Sequence, residues 1–597
     1  MGKNVINITA FHPYGRYYTY RGICFARGLL PKLAYRGMDE TTSFLGRMMK
    51  MRKIVIVGGV AGGATAAARL RRLSEADHIV LFERGEYISF ANCGLPYYIG
   101  GVIEERSKLL VQTAEVMSKR FCLDIRPLNE VTAIHRDRKT VSVRNVKTGE
   151  EYEETYDILI LSPGAKPIVP PIPGIEEAEA LFTLRTVPDT DRIKTYIDEQ
   201  KPRRAVVIGG GFIGVEMAEN LIHRGIHVTL IERANQVMAP IDYEMAAIVH
   251  GHMREHGVEL LLEDGVRALE ERGRRVVLTS GRVIETDMII LAIGVEPESW
   301  LAKEAGLELG VRGAIKVNEH LQTSDPSIYA IGDAVEVRHY IHGFETFVPL
   351  AWPANRQGRL VADHIHGFDV KYSGTLGTSI AKVFELAVAA TGLNEKMLRA
   401  LGVPYDVVHI HPLSHAGYYP NAEVMTFKLV FDRETGRIYG AQAVGKEGVD
   451  KRIDVIATAI KGGLTVRDLP DLELAYAPPF SSAKDPVNMA GYVASNIMDG
   501  LVETVQWHEI DRIVDDGGVL IDVRTEQETS RGMIRGSIPI PLDELRDRLH
   551  ELPKEKPIYV TCQVGLRGYI AARILRQHGF RAINVDGGYR LYAVVKQ

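Results

Sequence analysis

The sequence predicts an α/β protein of several domains, and three observations carry that prediction. An apolar strand followed by a glycine-rich turn and a helix occurs twice, opening at Gly58 and at Gly209. From about Tyr372 the chain changes to β-rich segments with helices and shows no further loop of this kind. A separate α/β pattern occupies residues 505–597. The 597 residues suffice for roughly four units of ordinary domain size.

The composition is typical of a globular protein, with 46% hydrophobic and 25% charged residues and a net charge of −4. This charge gives no electrostatic reason to expect nucleic acid as a partner. No apolar run is long enough to span a bilayer, so we predict no membrane partner either. The four cysteines are too scattered for a disulfide framework or a zinc site, and we predict no metal. Such cysteine usage fits a reducing cytoplasm.

Residues 1–50 differ from the rest of the chain. Eight Lys and Arg residues face only Asp39 and Glu40, and no helical or strand period persists. A basic leader poor in acids is one form of transit peptide. We favour a start of translation at Met51, which makes the leader an upstream artefact, and in either case we expect it to be disordered.

The first strand–turn–helix unit has the features of a Rossmann-like dinucleotide site. Its turn contains Gly58, Gly59, Gly62 and Gly63. Glycines let the backbone approach a pyrophosphate at the N-terminus of the helix, and Glu83, at the end of the next strand, can accept a hydrogen bond from a ribose hydroxyl. Val60 stands where the middle glycine is usual, so this unit alone is only suggestive.

The second unit is a complete copy. Its turn and helix start contain Gly209, Gly211, Phe212, Ile213 and Gly214. Two units imply two dinucleotides, usually a flavin and a nicotinamide. Glu232, at the end of the following strand, favours the free 2′-hydroxyl of NADH. Arg233 beside it can accommodate a 2′-phosphate, so NADH and NADPH both stay open.

Apolar strands that break at glycine mark the crossovers between the two units. Ser162 and Gly164 follow one such strand, and Gly294 follows another. We therefore predict an FAD-binding domain at residues 51–165 and 290–371 and an NAD(P)H-binding domain at residues 166–289. After a third buried strand come Gly332 and Asp333, and Asp333 is interpreted as a helix N-cap, as a partner of the flavin ribityl chain, or as both.

Cys93 stands shortly after the first unit, flanked by aromatic residues and followed by Gly94 and Pro96. No second cysteine lies nearby, which excludes a Cys-x-x-Cys pair. A thiol at the start of a helix beside a cofactor tends to be a thiolate. A lone free cysteine is more commonly a buried apolar residue, but the surrounding motif favours chemistry.

Residues 372–500 carry no nucleotide loop and are predicted to form a dimerisation domain. Tyr418 and Tyr476 lie there, and tyrosines of this kind are usually packing residues.

A linker ends at Thr504, and residues 505–597 form the last α/β unit. Cys562 follows an apolar strand and precedes a helix, so the next backbone amides can form an anion cradle around its sulfur. Arg567 would add a positive charge.

Two motifs carry a resemblance to known families. The stretch from Ser89 to Tyr98 (SFANCGLPYY) closely resembles the coenzyme A disulfide reductases, a single-cysteine branch of the pyridine nucleotide–disulfide oxidoreductases. The segments Asp522-Val523-Arg524 and Cys562 to Arg567 resemble a rhodanese domain. Together they are similar to coenzyme A disulfide reductase–rhodanese fusions, some of which reduce persulfides or polysulfides with NADH. The resemblance covers residues 51–597.

The resemblance implies roles for individual residues. Cys93 matches the redox cysteine, and Tyr418 and Tyr476 match two tyrosines that reach it from a partner subunit. Coenzyme A would contact Ser89, Asn92, Arg69, Arg72 and Lys108, and a basic cluster suits its three phosphates. The remaining residues expected at the cofactor sites are Ala61, Arg84, Asn92, Val131, Pro353 and Ala354.

We therefore expect a homodimeric flavoenzyme that passes electrons from NAD(P)H through FAD to Cys93 and reduces coenzyme A disulfide, coenzyme A persulfide or polysulfide. Cys562 would carry sulfane sulfur. One alternative is an NADH oxidase or peroxidase with a sulfenate at Cys93, but such relatives carry a histidine where this chain has Ala61. The other is a sulfurtransferase with a regulatory flavin domain.

Overall fold

The computed structural model describes residues 6–11, 17–22 and 51–596. Two compact units, Met1–Arg52 and Lys53–Gln597, divide the chain. The first contains two antiparallel strands, Ile6–Phe11 and Tyr17–Gly22, where we expected disorder. Their β-branched and aromatic residues favour extended backbone, which explains the difference. The rest of the leader lies outside the described residues.

The FAD-binding domain is built on a five-stranded parallel sheet. Its strands, in spatial order, are Ile328–Ala330, Ile158–Leu161, Lys53–Val57, His78–Glu83 and Asp124–Pro127. A three-stranded antiparallel sheet consists of Asn129–His135, Thr140–Asn145 and Glu151–Thr155. The helices Ala61–Leu73 and Ala351–Ile365 pack closely at Gly358, where a Cβ atom would come within 2.5 Å of the Gly62 carbonyl oxygen. The shorter helices are Leu95–Gly100 and Ala114–Phe121.

The NAD(P)H-binding domain repeats this plan. Its parallel strands, in spatial order, are Leu181–Phe182, Met288–Leu291, Arg204–Ile208, His227–Ile231 and Glu259–Leu261. The helices are Val187–Gln200, Phe212–His223 and Tyr243–Glu255. An antiparallel sheet consists of Val266–Glu270, Arg275–Leu278 and Val283–Glu285.

One predicted boundary needs correction. The strand Met288–Leu291 pairs with Arg204–Ile208, so the boundary drawn between residues 289 and 290 falls inside a strand of the second sheet. The crossover follows it, where Ala165–Pro167 pairs antiparallel with Val295–Pro297. An apolar strand does not reveal from its own residues which of two similar sheets it joins.

The dimerisation domain has an α+β architecture. Its antiparallel strands, in spatial order, are Ser379–Val383, Leu386–Gly392, Ile438–Gly445, Thr426–Phe431 and Asp406–Ile410. Its helices are Glu395–Leu401, Val449–Gly462 and Pro486–Met498.

The C-terminal domain is a parallel five-stranded sheet with helices. Its strands, in spatial order, are Glu503–Val505, Ala582–Val585, Ile558–Thr561, Val519–Asp522 and Ile538–Pro539. Its helices are Ile510–Asp515, Glu526–Thr529, Leu566–Gln577 and Gly588–Val595. The strand Glu503–Val505 begins within the predicted linker, so the domain starts earlier than residue 505. Within the described ranges, no helix combines the length and apolarity needed to cross a membrane.

Candidate active site

The two glycine-rich turns adopt the same backbone arrangement. Gly58 and Gly209 have φ values of 98° and 108°, in the left-handed region that favours glycine. A Cβ atom on Gly58 would lie 2.1 Å from the Ser162 carbonyl oxygen, and one on Gly209 would lie 2.4 Å from that of Ala292. Each turn is therefore packed against the crossover strand of its own sheet.

Each turn is also held by the acid at the end of the second strand. Glu83 accepts a hydrogen bond from the backbone N–H of Gly59 at 2.8 Å, and Glu232 accepts one from that of Gly210 at 2.7 Å. The helices that follow carry no acidic residue in their first turns, so their free N–H groups suit a pyrophosphate. Gly211 faces open space, which allows close approach of a ligand to the second turn. The chain's own residues thus fit two dinucleotides.

Several predicted cofactor residues meet at the first turn. The Ser162 hydroxyl lies 2.9 Å from where a Cβ atom on Gly62 would be, and Ala354 lies 3.7 Å from one on Gly332. Gly63 packs on the Gly58 carbonyl. The other residues predicted to bind a cofactor lie elsewhere in the two units.

Pro353 is buried in the helix Ala351–Ile365, and Val131 is buried in the antiparallel sheet. Gly164 and Gly294 have positive φ. Ala61 is the first residue of the helix after the first turn, and the helix after the second turn begins with Phe212, Ile213 and Gly214.

Asp333 lies in a 3₁₀ turn, Gly332–Ala334, whose N-cap is Ile331. Its interpretation as a helix N-cap is therefore wrong. Burial raises the pKa of Asp333 to about 6, against the opposing charge of Arg185. Sequence reasoning missed Arg185, which donates to the Pro163 carbonyl oxygen at 3.0 Å.

Arg84, which is predicted to contact the cofactor, forms an ion pair. Its guanidinium lies 2.9 Å from the carboxylate of Glu298, which also binds Arg185 at 2.9 Å.

Cys93 lies on a loop that is attached to the first glycine-rich turn. Ser89 begins this loop with φ of 45°, a strained backbone for a residue other than glycine, and its N–H donates to the Gly59 carbonyl oxygen at 2.9 Å. Cys93 itself is exposed within the 3₁₀ turn Asn92–Gly94. The helix that follows packs on the second unit at Gly100, where a Cβ atom would lie 2.0 Å from Asn220 Oδ1. The loop therefore connects the two dinucleotide units.

The charges around Cys93 oppose the thiolate that we expected. Although the residue as a whole is exposed, partial burial of its sulfur raises the pKa of the thiol, and the negative charges of Glu216 and Asp333 raise it further. The helix after Cys93, Leu95–Gly100, has only six residues. In the chain by itself, desolvation and the two carboxylates therefore disfavour the thiolate.

Glu216 is a functional candidate that sequence reasoning missed. It lies on the helix Phe212–His223, and burial together with the charge of Glu219 raises its pKa to about 7. Tyr97 donates a hydrogen bond to its Oε1 at 3.4 Å, which opposes that rise. A carboxyl group that titrates near neutrality beside a redox thiol can hold or release a proton there. No spacing in the sequence shows that this helix faces Cys93.

Glu216→Gln should lower the pKa of the Cys93 thiol, because it removes the second-largest cause of the rise. We expect alkylation of Cys93 by iodoacetamide to become roughly threefold faster or more above pH 7, since the thiolate is the nucleophile. Below about pH 6 the two proteins should converge, because Glu216 is then largely protonated in the parent chain. The measurement is the alkylation rate against pH in a Cys122→Ser background. Identical profiles would contradict this account.

Tyr418 and Tyr476 meet each other although 58 positions separate them. Their hydroxyl oxygens are 2.8 Å apart, and the residues are 76% and 47% exposed. In the described part of the chain, neither hydroxyl bonds to Cys93. The exposed ring of Phe480 lies on the same loop as Tyr476. Together these rings form an exposed apolar surface of the kind that a protein partner covers.

The predicted coenzyme A residues differ in how far their charges are already paired. Arg69 donates to the buried carboxylate of Asp363 at 2.6 Å, so its charge is already paired. Arg72 bonds the carbonyl of Ala68. Lys108 is exposed and lies 3.3 Å from Glu105, and Asn92 is exposed beside Cys93. The ion pair of Lys108 is exposed and weak, unlike that of Arg69, so the charges most available for a phosphate are those of Arg72 and Lys108.

Cys562 is fully buried and follows the strand Ile558–Thr561. The N–H of Gly565 donates to its Sγ at 3.1 Å, so one backbone amide faces the sulfur. Gly588 closes the loop, since a Cβ atom there would lie 2.5 Å from the Cys562 carbonyl oxygen.

Arg567 pairs with Glu528 through contacts of 2.8 and 2.6 Å. This pairing lowers the pKa of Glu528 to about 2, so the carboxylate offsets the charge that we expected Arg567 to offer. The sequence did not reveal Glu528 as a partner of Arg567, because Glu528 lies on a separate helix.

A buried polar chain joins the C-terminal domain to the main body. Asp586, two residues before Gly588, accepts from the backbone N–H of His409 at 3.1 Å and contacts its Nδ1 at 2.6 Å. The other ring nitrogen of His409 lies 3.1 Å from Glu244 of the NAD(P)H-binding domain. The carboxylates raise the pKa of His409 to about 9, so it is charged at neutral pH. The loop beside Cys562 is thereby fixed to the dimerisation domain and, through His409, to the NAD(P)H-binding domain.

Lys428 is the last member of this buried polar network. Its side chain is wholly buried, and its ammonium group contacts the carboxylates of Asp242, Glu244 and Glu395. The three carboxylates alone have a spacing that suits a metal ion, but Lys428 supplies the positive charge at their centre. Sequence reasoning missed this cluster because its members come from two domains.

Comparison with known proteins supports this organisation. A family model described as pyridine nucleotide-disulphide oxidoreductase matches residues 52–358, and the dimerisation-domain model matches residues 378–486. A rhodanese-like domain model matches residues 506–594. These matches confirm the predicted fold class.

Among curated proteins, coenzyme A disulfide reductase of Staphylococcus aureus (strain bovine RF122 / ET3-1) is 40% identical over 446 residues, which are 74% of this chain and all of that protein. The crystal structure of reduced Bacillus anthracis CoADR-RHD has a TM-score of 0.91 at 70% identity, covering 92% of this chain and 98% of that one. The NAD-dependent persulfide reductase from A. fulgidus has a TM-score of 0.85 at 39% identity, covering 90% and 100%.

The paired nucleotide turns, the Cys93 thiol on the loop between the two units and these matches lead to one conclusion: the chain belongs to the pyridine nucleotide-disulphide oxidoreductase family and is an oxidoreductase dependent on FAD and a pyridine nucleotide, with a fused rhodanese-like domain.

Proposed function

We propose that this chain works as a homodimer that uses NADH or NADPH to reduce coenzyme A disulfide, coenzyme A persulfide or a related sulfane-sulfur compound, in a reducing cytoplasm. The observation that carries the proposal is one exposed thiol, Cys93, on a loop that is bonded to the first nucleotide turn and is followed by a helix packed on the second unit. Ser89, Asn92, Arg72 and Lys108 are the proposed contacts for coenzyme A. Arg69 takes part only if its ion pair with Asp363 opens.

The proposed chemistry begins at the sulfur of Cys93. Its thiolate attacks a coenzyme A disulfide, forming a mixed disulfide and expelling coenzyme A thiolate, which takes up a proton. With coenzyme A persulfide the same attack expels hydrosulfide. FAD held at the first glycine-rich turn would supply the two electrons, taken from the hydride of NAD(P)H, that reduce the mixed disulfide to the Cys93 thiolate and free coenzyme A. Glu216, with a pKa of about 7, is the proposed holder of the proton that moves to and from the sulfur.

The active unit is proposed to combine Cys93 of one protomer with Tyr418 and Tyr476 of its partner, where the tyrosines would protonate the leaving sulfur. When a Cys93→Ser chain is mixed with a Tyr418→Phe, Tyr476→Phe chain, each mixed dimer should have up to roughly half the activity of a parent dimer. One of its two sites then has every group intact. The measurement is NADH oxidation after subunit exchange. Each homodimer serves as a control, and a mixture no more active than they are would place the whole site within one chain.

The rhodanese-like domain is proposed to load sulfur and the reductase to reduce it. Cys562→Ser should abolish thiosulfate sulfurtransferase activity and leave reduction of preformed coenzyme A disulfide unchanged. It should slow NADH oxidation when a sulfane donor must first load Cys562. Because the domains share one chain, their effective concentration is on the order of millimolar. The measurement is NADH consumption by both proteins with each donor, and equal rates on every sulfane donor would disprove a relay.

A further inference from the structure

Two histidines and a glutamate converge where the NAD(P)H-binding domain meets the dimerisation domain. His252 and His256 lie one turn apart at the end of the helix Tyr243–Glu255, and Glu385 lies in the tight turn after the strand Ser379–Val383. The Nε2 atoms of the two histidines are 3.0 and 2.9 Å from the same carboxylate oxygen, Oε2 of Glu385. Three donor atoms from two domains therefore face one point.

The turn and the rings are held in place by packing. The ring of Phe384 stacks on His256 with centroids 4.3 Å apart and planes 17° apart, and it meets His252 edge-on at 6.1 Å. The N–H of Phe384 donates to the buried carboxylate of Glu219 at 2.9 Å, which fixes the turn. The convergence is thus a property of the packed domains and not of three free surface side chains.

The hydrogen bonding of His256 fixes which nitrogen carries its proton. Its Nδ1 lies 2.8 Å from the carbonyl oxygen of His252, and a carbonyl can only accept, so Nδ1 carries the hydrogen. In the neutral ring, Nε2 then presents a lone pair to the Glu385 oxygen 2.9 Å away. Two acceptors face each other at this distance only when a proton or a metal ion lies between them.

We propose that His252, His256 and Glu385 form a binding site for a divalent transition-metal ion of the zinc type. Two imidazole nitrogens and one carboxylate oxygen are a ligand set typical of zinc, with water completing the coordination. Tetrahedral zinc bonds of about 2.0–2.1 Å place neighbouring donors about 3.3 Å apart. The two histidine–glutamate spacings therefore need to widen by only a few tenths of an ångström, and all three donor atoms lie within 4.8 Å of one another. The Nδ1–H to carbonyl bond of His256 is the outer contact that orients a metal-bound imidazole.

The site differs in kind from the buried cluster of Asp242, Glu244 and Glu395. That cluster already has the ammonium group of Lys428 at its centre, whereas among the described residues no lysine or arginine is seen to pair with Glu385. Glu385 is exposed, so an ion can reach the three side chains from solvent. A bound ion would tie the helix Tyr243–Glu255 to the dimerisation domain and so stabilise their contact.

Zinc titration of the full-length, FAD-containing protein tests the proposal, with exposed thiols alkylated first so that Cys93 and Cys122 cannot bind the metal. Calorimetry should show one site in the parent chain that is lost in His256→Gln and in Glu385→Gln. Each of these substitutions should weaken zinc binding by more than the ~10–100-fold that is typical when a residue hydrogen-bonded to a metal ligand is removed. Zinc should also raise the midpoint of thermal unfolding of the parent chain but not of these variants.

His223→Gln is the matched control, because His223 meets the same Phe384 ring at 6.0 Å but does not face Glu385. It should keep the zinc site and the thermal shift. Equal zinc binding by all four proteins, or no zinc binding by the parent chain, would overturn the proposal. Since Glu385 is exposed, Glu385→Gln is expected to fold even if His256→Gln does not. Neither outcome depends on the proposed reductase activity.

Discussion

Replacement of Cys93 by serine is expected to abolish NADH-driven reduction of coenzyme A disulfide and persulfide, with turnover reduced by roughly a thousandfold or more. A serine hydroxyl of the same shape cannot form the mixed disulfide, because oxygen does not replace sulfur as the attacking atom. The bound FAD should remain, since Cys93 is exposed and the glycine-rich turn is held by Glu83 and Ser89. The measurements are steady-state NADH oxidation and the visible spectrum of the flavin.

Cys122→Ser is the matched control for this experiment. Cys122 is also an exposed free thiol, but it caps the helix Ala114–Phe121 on the outside of the FAD-binding domain. Its replacement should leave turnover unchanged. Substantial disulfide reduction by Cys93→Ser, or a comparable loss in Cys122→Ser, would show that Cys93 is not the redox thiol.

Replacement of Lys428 by methionine is expected to cause the largest loss of stability. Lys428 is the shared partner of three carboxylates in a fully buried position. Removing one partner of a buried charge cluster leaves uncompensated charge, which typically costs 3–5 kcal/mol. The measurement is the denaturant midpoint of the main body. Lys446→Met, which removes an exposed lysine 3.8 Å from Glu423, is the control and should cost about 1 kcal/mol or less.

The pH dependence gives a second check on this cluster. Lys428 and His409 hold the pKa of Glu244 well below its usual 4.5, despite its burial. A carboxylate with a lowered folded pKa stabilises the protein above its unfolded pKa, and this stabilisation is lost as the pH falls through the folded value. The loss of stability caused by Lys428→Met should therefore be large near neutrality and smaller below about pH 4.5. A loss of stability that does not depend on pH would show that it comes from lost packing and not from charge.

The fold was readable from the sequence wherever a short local pattern fixes the backbone. Gly58 and Gly209 require positive φ, and an acid, Glu83 or Glu232, ends the second strand of each unit. These patterns predicted both nucleotide domains. The boundary near residue 290 was wrong because the strand Met288–Leu291 is equally apolar whichever sheet it joins.

The electrostatics of the site were not readable in this way, because they arise between distant segments. Glu216 reaches Cys93 from a helix more than a hundred residues further along the chain, and its charge helps to raise the thiol pKa where a helix N-terminus predicted the opposite. Arg567 was expected to face an anion, but Glu528 pairs with it. The link from Asp586 through His409 spans 177 positions. Residue types alone do not show which of these charges meet.

The most direct test of the central claim is NADH oxidation by the parent chain with coenzyme A disulfide, coenzyme A persulfide, polysulfide or oxygen alone as the acceptor. The account predicts rapid oxidation with a coenzyme A disulfide or persulfide, dependence of that oxidation on Cys93, and slow oxidation with oxygen alone. Oxidation that is fastest with oxygen alone and unaffected by the coenzyme A compounds would contradict it and identify the chain as an NADH oxidase.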